Sequence, residues 1–178
     1  MEDDPDKVAK IYSTISLLRY TSASNIAVTP GDLVRLVHGQ SAHLGPDQTR
    51  YLFSQPSLLQ LYRELKRPAT LANMPLVAAA SSNDIDERQI DGGTLQIFRQ
   101  SADIAIVFVK VDDPAEWVSV TLQLENASFG IRNLHFRQSP EEDGEMQEFL
   151  DLSTENGKAI YEALVDPLTI GTFLKSEL

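Results

Sequence analysis

The chain of 178 residues contains no cysteine, one tryptophan and three histidines. Without thiols there are no disulfides, no thiolate zinc or iron–sulfur sites and no cysteine nucleophile. The lack of disulfides fits a reducing compartment. Long apolar runs are also missing. The longest, Ile104–Val109, falls far short of the ~20 residues that span a bilayer. The opening Met-Glu-Asp-Asp-Pro-Asp has neither the basic start nor the apolar stretch of a signal peptide, so a cytoplasmic chain with no membrane association is expected. Positive charge is scarce: 15 Lys and Arg stand against 26 Asp and Glu, a net charge of −11. Such a surface repels phosphate backbones and anionic lipid, so nucleic acid is not an expected partner. What remains is 42% hydrophobic, enough apolar material for a packed core.

Charge and periodicity both change near Leu71–Asn83. Residues 1–80 carry eight bases against seven acids, whereas residues 81–178 carry seven against nineteen. The first part reads as short helices. Asp4-Pro5 is a cap followed by a proline, and Val8, Ile11, Tyr12, Ile15 and Leu18 recur at helical spacing. Thr29-Pro30-Gly31-Asp32 repeats the start signal before Leu33, Leu36 and Val37, and Gly39 is expected to end that helix. Gly45-Pro46-Asp47 and Gln55-Pro56 open two more. The last of these carries Leu58, Leu59, Leu61, Tyr62 and Leu65, with Pro68 closing it.

Beyond the seam the period becomes two. Val118, Val120, Leu122 and Leu124 alternate with Ser119, Thr121 and Gln123, which predicts a half-buried strand. Ile104–Val111 is apolar on both faces and predicts a central strand, with Asp112-Asp113-Pro114 as the turn between the two. Further strands are expected at Thr94–Phe98, Phe129–Arg137, Phe149–Leu152 and Ala159–Val165. Asn156-Gly157 reads as the turn of a hairpin joining the last two. The expected architecture is α+β, with a helical module over residues 1–70, a connection over 71–87 and an antiparallel β-sandwich of Ig-like size over 88–178.

Motifs for chemistry are sparse. There is no Gly-x-Ser-x-Gly elbow and no Gly-rich phosphate loop, so no catalytic or cofactor-binding residue is assigned. His38 and His43 are five positions apart, where a metal pair on one helix needs three or four. His135, between Leu134 and Phe136, should face away from the core. Glu141, Glu142, Asp143 and Glu145 could clamp Ca²⁺ but lack the register of an EF-hand. A helix-turn-helix over Asp32–His38 and Asp47–Phe53 would offer only Gln48, Thr49 and Arg50 as base readers, across too long a connection.

Leu33-Val34-Arg35-Leu36-Val37-His38-Gly39-Gln40 resembles the first helix, ending in glycine, of the zinc-binding anti-sigma-factor module. In that family a second short helix leads into His-Leu-x-x-Cys-Pro-x-Cys. Here Tyr51-Leu52-Phe53-Ser54-Gln55-Pro56-Ser57-Leu58 takes that position. Leu52 and Pro56 match, but Tyr51, Gln55 and Leu58 replace the ligands, which rules out a tetrahedral zinc site. The resemblance implies a regulatory binder with an apolar core in place of zinc, Leu58 and Tyr51 packing inward, and a sigma factor or another signalling protein as partner.

These readings converge on a non-enzymatic regulatory or adaptor protein that binds another protein. The face carrying Leu33, Leu36, Tyr51, Leu59 and Tyr62 would bury an apolar groove, internally or against a partner helix, with Arg35, Arg50, Arg63 and Arg67 at its rim. Two alternatives compete. The β module could bind a glycan, a peptide or Ca²⁺, with Trp117 and Tyr161 as exposed platforms. Scattered acids could also assemble an enzyme site that is invisible in sequence.

Overall fold

A computed structural model describes residues 27–38, 43–75, 80–82 and 85–175. The helix expected at Asp4–Leu18 and the helix-ending Gly39 lie outside these residues. The fold is α+β: three consecutive helices lie on one face of an antiparallel sandwich of two sheets, and a fourth helix plugs the sandwich.

The helices begin where the caps predict. Helix α1, Pro30–Val37, starts with a full capping box: Asp32 N donates to Thr29 Oγ1 (3.2 Å), and Thr29 N donates to Asp32 Oδ2 (2.8 Å). Helix α2, Pro46–Ser54, starts at Gly45, whose N–H is taken by Gln48 Oε1 (3.2 Å). Gln55 ends α2 and opens α3, Pro56–Ala69. Pro68 falls inside the last turn rather than ending the helix, one residue earlier than the observed stop. The Thr70 hydroxyl then satisfies the Lys66 carbonyl (2.9 Å).

One sheet has the strand order β1 (Thr70–Met74), β9 (Ile170–Lys175), β6 (Val120–Asn126), β7 (Gly130–Phe136). The other runs β2 (Ala80–Ser82), β3 (Ile85–Ile90), β4 (Gly93–Arg99), β5 (Ile104–Val111), β8 (Glu145–Asp151). Every pairing is antiparallel. Residues 71–87, expected as a connection, therefore hold β2, most of β1 and the start of β3. Their pattern is short and irregular, and it is tertiary pairing that makes them strands. Asp112-Asp113-Pro114 is not a hairpin turn either. It leads through a 3₁₀ turn, Pro114–Glu116, that carries the chain from the second sheet to the first.

The final hairpin is replaced by helix α4, Glu155–Val165. Thr154 is its N-cap, accepting from Gly157 N (3.0 Å), and Ile160, Ala163 and Leu164 recur at helical spacing on the buried side. Buried Arg88 holds the far end of α4, donating to the Leu164 (3.3 Å), Thr169 (2.7 Å) and Pro75 (3.1 Å) carbonyls. Burial lowers its pKa, and the Asp166 carboxylate works against that shift.

The main core lies between the sheets. Leu95, Val107 and Val109 face Leu122, Leu124 and Phe173, with α4 at the end. Trp117 is buried there, its ring centroid 5.1 Å from that of Phe173. A second core forms where α1–α3 cover the outer face of the first sheet, joining Leu33, Leu36, Leu52 and Leu58 to Ile131 and Leu174. Each leucine fully buried there contributes about 1.5–3 kcal/mol. This cover changes the polar side of β6. Thr121 and Gln123, which alternation places in solvent, are both buried, Gln123 beneath the helices at Leu36 and Tyr62. Gln123 Nε2 (3.1 Å) and Asn133 Nδ2 (2.9 Å) donate to the Leu36 carbonyl, one of the orphan acceptors at the end of α1. Among the described residues no helix is long and apolar enough to cross a membrane.

Candidate functional site

Among the described residues, a groove of about 640 Å³ opens beside the helical layer. Helices α2 and α3 form one wall, with Arg50, Phe53, Leu59 and Arg63. The opposite lip is Leu168 and Ile170, on the approach to and start of β9, and the floor is Tyr62, Lys66 and the end of β6 at Glu125–Asn126. Three large apolar side chains of this groove remain open to solvent: Phe53 is 43% exposed, Ile170 42% and Leu168 74%.

The floor is polar but internally satisfied. Lys66 Nζ forms an ion pair with Glu125 Oε1, both side chains being largely covered. The Tyr62 hydroxyl lies between Gln123 Oε1 and Glu125 Oε1 (2.8 Å), with one proton for two acceptors. Burial pushes the Tyr62 phenol well above its ordinary pKa, and the Glu125 charge and hydrogen bond push it further. Tyr62 therefore stays a neutral donor and neutralises part of the Glu125 field. Above the floor, Arg50 is exposed and paired with Asp47 (2.8 Å). Arg63 is exposed and has no ion-pair partner among the described residues.

Eight of the residues singled out from sequence divide three ways. Leu33 and Leu36 are internal, buried against Ile131 and Leu174, and cannot meet a partner. Arg35 is exposed and paired with Asp32 (2.6 Å), and Tyr51 packs half-buried on the helical core, so neither lines the groove. Arg50, Leu59, Tyr62 and Arg63 do come together there, although Tyr62 reaches it only as floor. Leu58 is buried and Tyr51 is partly so, both in the helical core. Sequence reasoning missed Phe53, Glu125, Leu168 and Ile170 as groove residues. Glu125 is 59 positions from Lys66, and no local pattern links them.

The competing sites fare differently. Trp117 is buried in the main core and Tyr161 packs partly buried against it, under Arg99 (5.8 Å to the ring centroid), so neither is an open platform. Of the three base readers, Thr49 is buried, and Gln48 is bound to Gly45 N. His135 faces outward as alternation predicts, its Nδ1 2.8 Å from Thr121 Oγ1; burial lowers its pKa, and Glu148 works against that shift. In the acidic run Asp143 Oδ1 accepts from Glu145 N (3.2 Å), and Glu145 is paired with Lys110 (2.8 Å). Among the described residues no three His, Asp or Glu side chains gather to hold a metal ion. No family model matches the chain, and no curated protein or solved structure is found to be similar to it, so the functional reading rests on the groove itself.

Proposed function

We propose that this chain is a non-enzymatic, cytoplasmic adaptor or regulator that holds another protein on the α2–α3 face. The observation that supports the reading is the groove. Elsewhere in the helical layer the large leucines turn inward, but Phe53, Leu168 and Ile170 converge on one trough while still exposed to water. Apolar side chains that a chain leaves wet and gathers in one place are a common mark of a binding surface. The basic rim gives such a surface orientation and charge preference. An anti-sigma-like role is the narrower form of this reading, because the helices concerned are those whose sequence resembles that module, and a sigma factor is the first client to test.

The experiment is affinity purification of the tagged chain from its native cells, run beside a Phe53→Asp, Leu168→Asp variant. The expected result is a stoichiometric partner that the variant loses. A partner retained by the folded variant would remove the groove from the reading, and a wild-type chain that purifies alone would remove the adaptor role.

A further inference from the structure

The geometry points to an acidic amphipathic helix as the occupant of the α2–α3 groove. This inference rests on the reading of the groove as a protein-binding face and specifies the chemistry of the partner.

The form of the occupant follows from the sheet beneath the groove. An extended peptide gains affinity by adding to an unpaired strand edge. The strands reaching this groove are β6 and β9, and both are interior: β9 lies between β1 and β6, and β6 between β9 and β7. No backbone edge is therefore offered. A helix satisfies its own backbone hydrogen bonds and needs only side-chain contact. Apolar residues at i, i+3 or i+4, and i+7 would seat against Phe53 and Leu59 on one wall and Leu168 and Ile170 on the other. An anionic amphiphile fits less well, since its tail would lie between lips that leave Leu168 74% exposed.

The sign of the charge follows from the cations. Lys66 is spent on Glu125 in the floor. Arg63 and, one turn along α3, Arg67 have no ion-pair partner among the described residues, and Arg50 shares its exposed charge only with Asp47. Arg50 and Arg63, which line the groove, form a basic lip on a chain of net charge −11, with Arg67 exposed one turn beyond. An acidic partner is repelled by most of the molecule and attracted at this lip, which restricts both where it binds and how it is turned.

The test uses fluorescence anisotropy with labelled helices of about 18 residues, long enough to hold some helix when free. One has a leucine stripe flanked by glutamates, a twin has lysines in their place, a third is the glutamate peptide broken by central prolines, and dodecanoate is the competitor. At low salt the glutamate helix should bind the full chain about tenfold more tightly than the lysine twin. Arg50→Glu with Arg63→Glu should reverse that order, Phe53→Asp should abolish binding of both, and the proline peptide should not bind. Because all three positions are exposed, the variants should remain folded, which circular dichroism checks. Equal or better binding by the lysine twin that still depends on Phe53 would overturn the acidic preference and leave the protein-binding reading standing. Absence of any Phe53-dependent peptide binding would remove that reading as well. Full displacement by dodecanoate, together with undiminished binding of the proline peptide, would reassign the groove to an anionic amphiphile.

Discussion

At the scale of single residues, Asp32 shows how a local signal becomes stability. Its carboxylate accepts from the Thr29 backbone and hydroxyl and from Arg35. Partial burial acts to raise its pKa, but the Thr29 hydrogen bonds and the Arg35 charge outweigh that, leaving it below the ordinary 3.8. The charged form is thus favoured by folding. Its contribution is complete above the ordinary value and is lost as the pH falls through the lower folded one. Asp32→Asn should therefore cost about 1 kcal/mol near neutral pH, with the gap to wild type narrowing at a pH well below the ordinary 3.8. Urea titrations at the two pH values check this, and a gap that ignores pH would show that the charge contributes nothing. This cap was legible because Thr29 and Asp32 are three residues apart. The Lys66–Glu125 pair was not, because only the docking of α3 on β6 brings it together.

At the scale of elements, α4 marks where local reading fails. Asn-Gly between apolar runs is a hairpin signal, yet Gly157 lies in the first turn of a helix. Its value there is close approach, not an unusual backbone angle. A Cβ on it would stand 2.0 Å from the Asp151 carbonyl oxygen and 2.9 Å from Thr154 Oγ1. Gly157→Ala is expected to destabilise the fold by about 1–3 kcal/mol, as overpacking does. Gly31→Ala, where the nearest atom is 3.7 Å away at Thr29 Oγ1, should be neutral or slightly stabilising in the same denaturation series. Equal effects at the two positions would mean that α4 does not sit against Asp151. Ile104–Val111 was readable because a strand flanked by β4 and β8 keeps one face in the core and apolar residues on the other. By contrast, among the described residues β1 pairs only with β9, β9 is held between β1 and β6, and both carry little pattern of their own.

At the scale of the whole molecule, the helical layer and the sandwich share a sheet. Leu174 of β9 faces the helices while its neighbour Phe173 faces the other core. The two charge regimes of the sequence therefore meet in one body, and the change in composition at residue 80 does not mark a gap in packing. Unfolding followed by Trp117 fluorescence, a probe of the inner core, should coincide with loss of helical circular dichroism. Leu36→Ala, though placed in the outer core, should lower both transitions together at a cost of about 2–5 kcal/mol. Two separated transitions would show independent modules. The shared sheet has a further property at its rims. On β1, Asn73 exchanges hydrogen bonds with Asp91, whose carboxylate accepts from its backbone N–H (3.0 Å) and whose own N–H donates to its carbonyl (3.0 Å). On β7, Ile131 exchanges both backbone hydrogen bonds with Leu44 (2.8 and 3.0 Å). Both outer strands are thereby stoppered by short segments of their own chain. A crowded solution of this protein finds at those points no ready template on which to extend the sheet from one molecule into the next, so edge-to-edge polymerisation is blocked there without any strand being sacrificed.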